Sequence, residues 1–164
     1  VSIQPEKGAA SCRMVHARPR MGDPDEHHRK VMEGLRKRAD ALGVPLLNNT
    51  KWREVFHAAV GPHVSVGGKL VGWDEDPEQD RDTVRMWIGL GNDEKIGESG
   101  LRDPGFGGGP CNYWEIIEAH FKSTAPTAEQ RAEWIAAFEQ ELRSLRVAHV
   151  TTGREVVVHG YDKI

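Results

Sequence analysis

Apolar residues recur at helical spacing in three segments of this chain, and the pattern predicts three amphipathic helices. Asn49 is the expected N-cap of the second helix, because an Asn side chain can accept hydrogen bonds from the free backbone N–H groups of a first turn. Thr127 and Gln130 have the spacing of a capping box, which predicts the start of the third helix. The predicted helices cover residues 25–42, 50–60 and 127–143.

Five further segments have the short apolar runs or the alternation that predict strands. The glycine pair at 67–68, inside the first of them, indicates a turn or a bulge. In the third, the alternation puts Trp114 and Ile116 on the same face as Glu118 and His120. The predicted strands lie at residues 64–71, 84–90, 113–121, 147–150 and 155–159.

The order of these elements is typical of an α+β domain. We therefore expect a single α+β domain over residues 24–164, with an antiparallel sheet of about five strands, two N-terminal helices and one covering helix. Residues 1–23 lack apolar periodicity and are predicted to be a disordered leader. Residues 91–110 are Gly-rich and aperiodic, which predicts a long loop that is mobile or functional. The predicted core comprises Trp52, Phe56, Ile88, Trp114, Ile116, Trp134, Phe138 and Val157.

Composition excludes several classes of protein. The 164 residues are 38% hydrophobic and 29% charged, which is typical of a globular domain with one core. No run approaches the roughly 18 apolar residues of a membrane span. The N-terminal residues lack the apolar region of a signal peptide, so we expect a cytoplasmic protein. Two cysteines and the spacing of the histidines fit neither a disulfide framework nor a zinc site, and we predict no metal, no cofactor and no catalytic motif.

Three short motifs carry a resemblance to a known family. They are the pentapeptide Asn48–Trp52, the central tripeptide Trp114–Ile116 and the closing dipeptide Gly160-Tyr161. Over residues 48–164 the chain resembles a bacterial domain family with no assigned activity. That family shares an Asn-Asn-Thr-Lys-Trp start, a Trp-centred strand, a helix and a terminal Gly-Tyr. The resemblance implies a small α+β protein of a kind often found as an immunity or accessory protein in toxin and phage-defence loci.

An acidic segment between the first two predicted strands is the strongest charge feature of the chain. It carries six acids against Arg81 alone, whereas the whole chain has a net charge of −3. Such a segment can hold a divalent cation or remain a solvated turn, but it can also attract a basic partner. We predict a non-enzymatic interaction protein, with an immunity protein that occludes a bacterial toxin as the specific hypothesis. The predicted partner-binding residues are Asp74, Glu75, Asp76, Glu78, Asp80 and Asp82.

Two other functions stay open from the sequence. The basic helix at residues 27–38 is typical of a nucleic-acid-binding or regulatory accessory protein, although acids interrupt it. A small hydrolase or nucleotide-binding enzyme is the second alternative, and its site would lie near Asn49, Lys51, Glu118 and His120. Of these residues, Glu118 and His120 share a strand face and can form a hydrogen-bonded pair. The start of the second predicted helix can also bind the negative group of a ligand, because a helix N-terminus favours anions. The simpler interpretation of the same residues is a helix cap. The residues predicted for that ligand site are Asn48, Asn49 and Lys51.

Overall fold

The computed structural model of the protein describes residues 24–72, 85–102 and 110–162, and the predicted leader lies outside these segments. Within them, three α-helices and seven β-strands follow one another, with one turn of 3-10 helix at Tyr113–Glu115. The helices are α1 (Pro24–Ala41), α2 (Asn49–Ala59) and α3 (Ala128–Ser144). The strands are β1 (Val64–Leu70), β2 (Arg85–Gly89), β3 (Gly100–Leu101), β4 (Cys111–Asn112), β5 (Ile116–Ser123), β6 (Val150–Thr152) and β7 (Glu155–His159).

Five of the strands form one sheet, in the order β2-β1-β5-β7-β6. Every neighbouring pair in it is antiparallel. The short strands β3 and β4 pair only with each other. This arrangement confirms the predicted single α+β domain with a five-stranded antiparallel sheet. Among the described helices, none has the apolar length that a membrane crossing requires.

The main hydrophobic core joins helices α2 and α3 to the central strands of the sheet. A run of aromatic rings crosses this core. Phe56 packs on Trp52 and on Phe121, and Phe121 packs on Phe138, with ring centroids 5.8, 5.5 and 4.9 Å apart. Five of the predicted core residues are buried, namely Trp52, Phe56, Ile116, Phe138 and Val157. The other three are half-buried, namely Ile88, Trp114 and Trp134.

Helix α1 packs on a second, smaller hydrophobic cluster. Ala39 is buried there with Val71 and Tyr161. The Arg36 guanidinium lies over the ring of Trp114, 4.4 Å from the ring centroid, which is a favourable cation–π distance. Helix α1 therefore contacts the domain through the 3-10 turn and the end of the chain.

The central strand begins later than its alternation predicts. Residues Tyr113–Glu115 form a 3-10 turn, so the prediction of a strand from residue 113 was wrong at its start. The Glu115 carboxylate holds this turn, because it accepts hydrogen bonds from the backbone N–H and the side-chain Nδ2 of Asn112, at 2.6 and 3.1 Å. Extended backbone resumes only at Ile116, where β5 begins.

A bulge at the start of β5 changes which residues share a face. Lys69 pairs with Glu118, but its neighbour Leu70 pairs with Ile116, so β5 has one more residue than β1 at this point. Ile116 consequently belongs to the main core together with Phe121. The prediction that Ile116 shares a face with Glu118 was therefore wrong, since simple alternation takes no account of an extra residue.

Two smaller predictions are also corrected, and a third is decided between its two alternatives. The sixth strand begins at Val150 rather than Val147, because the Val147 N–H donates to the Leu142 carbonyl at the end of α3. The region 91–110, predicted to be irregular, contains strand β3, which pairs with β4 just beyond it. Strand β1 runs straight through the glycine pair at 67–68, where its pairing with β2 shifts, so the pair marks a bulge and not a turn.

Candidate ligand-binding cleft and adjoining charged cluster

The three motifs that carry the family resemblance meet at one place in the fold. Gly160, which follows β7, lies against the carbonyl of Ile116 and the ring of Trp52. The next residue, Tyr161, donates its hydroxyl hydrogen to the carbonyl oxygen of Trp114. These contacts join α2, the start of β5 and the segment after β7. The motifs therefore have a clear role in holding the fold together.

The first motif also sets the start of α2. Asn48 is the N-cap, because its side-chain oxygen accepts a hydrogen bond from the Lys51 backbone N–H at 2.8 Å. The prediction of Asn49 was wrong by one residue. Asn48 has the extended backbone that a cap needs, with φ −84° and ψ 175°, whereas Asn49 is already helical and exposed.

Replacing Asn48 by alanine is expected to lower the free energy of unfolding by about 1 kcal/mol, because a free N–H in the first turn loses its acceptor. Asn49→Ala is the matched control, and its effect should stay within about 0.5 kcal/mol. Urea denaturation followed by circular dichroism measures both. Equal losses in the two variants would contradict the assignment of the cap.

A cleft of about 550 Å³ lies beside the start of α2. Residues from three distant parts of the chain line it: the start of α2 with the segment before it, the segment that follows α3, and the end of β7. Its charged or titratable lining residues are Lys51, Arg146 and His159, and none of the described lining residues is acidic. The other lining residues are Leu46, Leu47, Leu145, Val147 and Ala148. The cleft is thus an apolar site with a basic rim.

Arg146 has a left-handed backbone, with φ 56°, and is the only non-glycine residue with positive φ in the described segments. It ends α3 in a Schellman motif, in which the N–H groups of Arg146 and Val147 donate to the carbonyls of Arg143 and Leu142. Glycine is the usual residue at this position because an L side chain crowds the backbone there. Arg146 therefore places a guanidinium at a position where glycine would adopt the same backbone conformation with less strain.

A charged cluster on the sheet adjoins the cleft. Nε2 of His120 is 2.8 Å from Glu118 and Nδ1 is 2.9 Å from Glu155. An ionised carboxylate only accepts hydrogen bonds, so both ring nitrogens donate and His120 is an imidazolium in this arrangement. Lys69 Nζ lies 3.3 Å from Glu118, and Nδ1 of His159 lies 3.7 Å from the other oxygen of that carboxylate. The predicted pairing of Glu118 with His120 is confirmed, and the pair belongs to a larger charged cluster.

The charged cluster shifts the pKa values of its own members. The hydrogen bond from His120 lowers the pKa of Glu118 from 4.5 to about 2, against the opposing effect of burial. Burial of His120 favours its neutral form, but the hydrogen bonds to Glu118 and Glu155 outweigh burial and raise its pKa above 6.5. Glu118 is only 8% exposed, so its charge depends on these partners.

The structure brings together only part of the predicted site. Lys51 lines the cleft, and its Nζ also pairs with Glu54 at 2.8 Å. Glu118 and His120 do not line the cleft and approach it only through His159. The predicted partner-binding residues lie outside the described segments: Asp74, Glu75, Asp76, Glu78, Asp80 and Asp82.

Several residues of the cleft and the charged cluster are absent from the sequence-based hypotheses. Lys69 and His159 join Glu118 by cross-strand pairing, for which no local pattern gives a signal. For Arg146, the one signal in the sequence is the lack of a glycine after α3, at the position where glycine usually ends a helix. In the part of the chain that the structure describes, no group of three or more His, Cys, Asp or Glu residues is arranged to hold a metal.

Comparison of the chain with protein-family models, with curated proteins and with solved structures finds no match. The family resemblance therefore stays a prediction, and the site geometry carries the evidence for function.

Proposed function

We propose that this protein acts by binding a protein partner rather than by catalysis. The supporting observation is that the acidic and basic side chains of the charged cluster form hydrogen bonds and ion pairs with one another. Both nitrogens of His120 hold carboxylates, and Glu118 is held by His120 and by Lys69. A general acid or base needs an atom within reach of the substrate. The charged cluster instead ties strands β1, β5 and β7 together.

The acidic segment at residues 74–82 favours a partner of opposite charge. Its six acids and one arginine give a balance of −5, in a chain whose net charge is −3. Charge of this density speeds encounter with a basic surface and selects against acidic partners. The specific form of the proposal is an immunity protein that occludes the basic, nucleic-acid-binding face of a toxin.

Helix α1 gives little support to the nucleic-acid alternative. Lys30 pairs with Glu26 at 2.9 Å and Lys37 pairs with Glu33 at 3.4 Å, one turn apart along the helix. Arg36 lies over an aromatic ring. Affinity for nucleic acid comes mainly from cations that neutralise phosphates, and the acids interleaved with these cations lower the net positive charge of the helix.

Identification of the partner is the first experiment. The tagged full-length protein is purified from its native host, and proteins that co-purify in stoichiometric amount are expressed alone and together with it. A partner that is toxic alone and harmless in the co-expression would support the proposal. If no protein co-purifies in stoichiometric amount, the proposal is contradicted.

Charge reversal of the acidic segment, as D74K/D76K/D80K, is expected to slow association with that partner about tenfold or more at low salt and to weaken the salt dependence of the rate. Stopped-flow or surface-plasmon-resonance measurements at several salt concentrations give both quantities. Unchanged kinetics in this variant would exclude the acidic segment as the steering surface. The matched control reverses three exposed acids in the described segments: Glu94, Glu133 and Glu141.

A further inference from the structure

We infer that the cleft is a binding site for a small organic anion, a carboxylate or a phosphate carried on an apolar body. This inference does not depend on the protein-binding proposal. The volume of about 550 Å³ lies within the range of roughly 300–1,000 Å³ that small-molecule sites occupy. Apolar side chains form most of the lining, and its charged groups are basic. An amphiphilic anion matches both properties.

Two cations give the cleft its affinity for a negative group. Lys51 is in the first turn of α2, where the helix dipole adds to its positive charge. Its pair with Glu54 is 42% and 39% exposed, so water screens that pair and Lys51 can exchange it for a ligand. Arg146 has no ion pair within the described segments. A guanidinium can bind a carboxylate or phosphate through two parallel hydrogen bonds.

The backbone of Arg146 supplies independent evidence. Its φ of 56° is unfavourable for any L side chain, and glycine would end α3 without that strain. The Schellman motif accounts for the left-handed backbone but not for the choice of arginine, and residues held in such a conformation cluster at ligand sites. The strained residue lines the cleft and carries the positive charge that a ligand anion needs.

His159 connects the cleft to the charged cluster. Its Nδ1 is buried, has no hydrogen-bond partner among the described residues and faces Glu118 at 3.7 Å. The side chain as a whole is 33% exposed, so its exposure comes from the rest of the ring, which carries Nε2. His159 therefore lines the cleft with the exposed part of its ring, while its Nδ1 faces the carboxylate of Glu118.

Three probes with the same eight-carbon body and different head groups test the inference: octanoate, octyl phosphate and octan-1-ol. The full-length protein is titrated with each, using calorimetry and the NMR shifts of backbone amides. Both anions are expected to bind with shifts centred on the cleft, and octan-1-ol to bind about tenfold more weakly or not at all. The tighter anion identifies the preferred head group. Equal affinity for the alcohol, or no saturable binding of either anion, would overturn the inference.

Arg146→Gly separates the ligand site from the fold. The substitution is expected to raise the melting temperature by about 2 °C, because glycine accepts the left-handed backbone. It should nevertheless weaken octanoate binding about tenfold, through loss of a charge-assisted hydrogen bond. Arg154→Gly removes the same charge from an exposed turn outside the cleft and should leave the affinity unchanged.

The variant series also distinguishes this inference from the protein-binding proposal. Unchanged octanoate affinity in both Arg146→Gly and Lys51→Met would overturn the anion site. The charge-reversed D74K/D76K/D80K protein should bind octanoate as the wild type does. Failure of partner binding and failure of anion binding are therefore observed separately.

Discussion

Gly160→Ala is expected to lower the free energy of unfolding by about 3 kcal/mol or more. A Cβ at this position would lie well under 3.0 Å from the carbonyl oxygen of Ile116 and 3.3 Å from the ring of Trp52. Real Cβ atoms essentially never approach backbone atoms so closely. The substitution must therefore displace the end of the chain, the start of β5 or helix α2.

None of these displacements is easy. The N–H of Gly160 donates to the carbonyl of Ile117 at 2.8 Å, and its carbonyl accepts from the N–H of Leu46 at 2.9 Å. On the other side, Trp52 is 1% exposed and packs on Phe56. Relief of the clash therefore costs either buried hydrogen bonds or the packing of the main core.

Chemical denaturation of the two proteins measures this loss directly. Gly34→Ala is the matched control, since a Cβ added there has nothing within 4 Å and lies inside helix α1. That control is expected to raise the free energy of unfolding by about 0.5–1 kcal/mol, the usual preference of a helix for alanine. A G160A protein as stable as the wild type would contradict the close approach of the chain end to β5.

The helices can be predicted from the sequence because their signals are local. The pattern over residues 25–42 lies within one residue of the observed α1 at each end. The capping box at the start of α3 is present, with the backbone N–H of Gln130 donating to the Thr127 hydroxyl at 3.2 Å and the reciprocal bond at 3.4 Å. The five strands of the main sheet follow equally from short apolar or alternating runs, whereas the two-residue strands β3 and β4 give no such signal.

Two details of the sheet escape the alternation from which strands are predicted. The 3-10 turn before β5 exists because Glu115 reaches back to Asn112, and the bulge that follows moves Ile116 into the core. Alternation alone gives the opposite face for Ile116. One extra residue in the strand therefore places a core side chain on the face opposite to the one that the sequence pattern predicts.

The candidate site is only partly predictable for a related reason. Lys51 is predictable because it follows a helix start, where anions bind. The cleft itself combines this residue with Arg146 and His159, from the opposite end of the chain, and their proximity is a property of the tertiary fold. The pairing of His120 with Glu118 is a two-residue spacing on one strand, which sequence reasoning finds, but its second partner Glu155 comes from β7.

Glu118→Gln is expected to have the second large effect. It should lower the free energy of unfolding by about 3 kcal/mol near pH 5.5. The carboxylate is 8% exposed and interacts with His120 at 2.8 Å and with Lys69 at 3.3 Å. Glutamine has nearly the same shape but carries no charge. The imidazolium and the ammonium group would then lose their counter-charge inside the sheet, which is more costly than loss of a neutral hydrogen bond.

The effect should depend on pH in a defined direction. The folded-state pKa of Glu118 is lowered from 4.5 to about 2, so its stabilising effect is complete above about pH 4.5 and is lost as the pH falls toward 2. The folded-state pKa of His120 is raised above 6.5, so its stabilising effect is present below about pH 6.5 and is lost as the pH rises through the folded-state value. The charged cluster therefore stabilises the protein most between about pH 4.5 and 6.5.

Denaturation of wild type and E118Q across a range of pH tests this expectation. The difference in the free energy of unfolding between the two proteins should be largest near pH 5.5 and should shrink in both acid and mild alkali. Glu54→Gln is the matched control, because its pair with Lys51 is 39–42% exposed and should contribute less than about 1 kcal/mol. A difference that stays constant with pH would mean that Glu118 stabilises the sheet by shape and hydrogen bonding alone. A difference that follows the expected curve would show that the charge of the cluster holds β1, β5 and β7 together. The charged groups of the cluster would then be occupied with one another, and the neighbouring cleft would be the part of the protein that is free to bind a ligand.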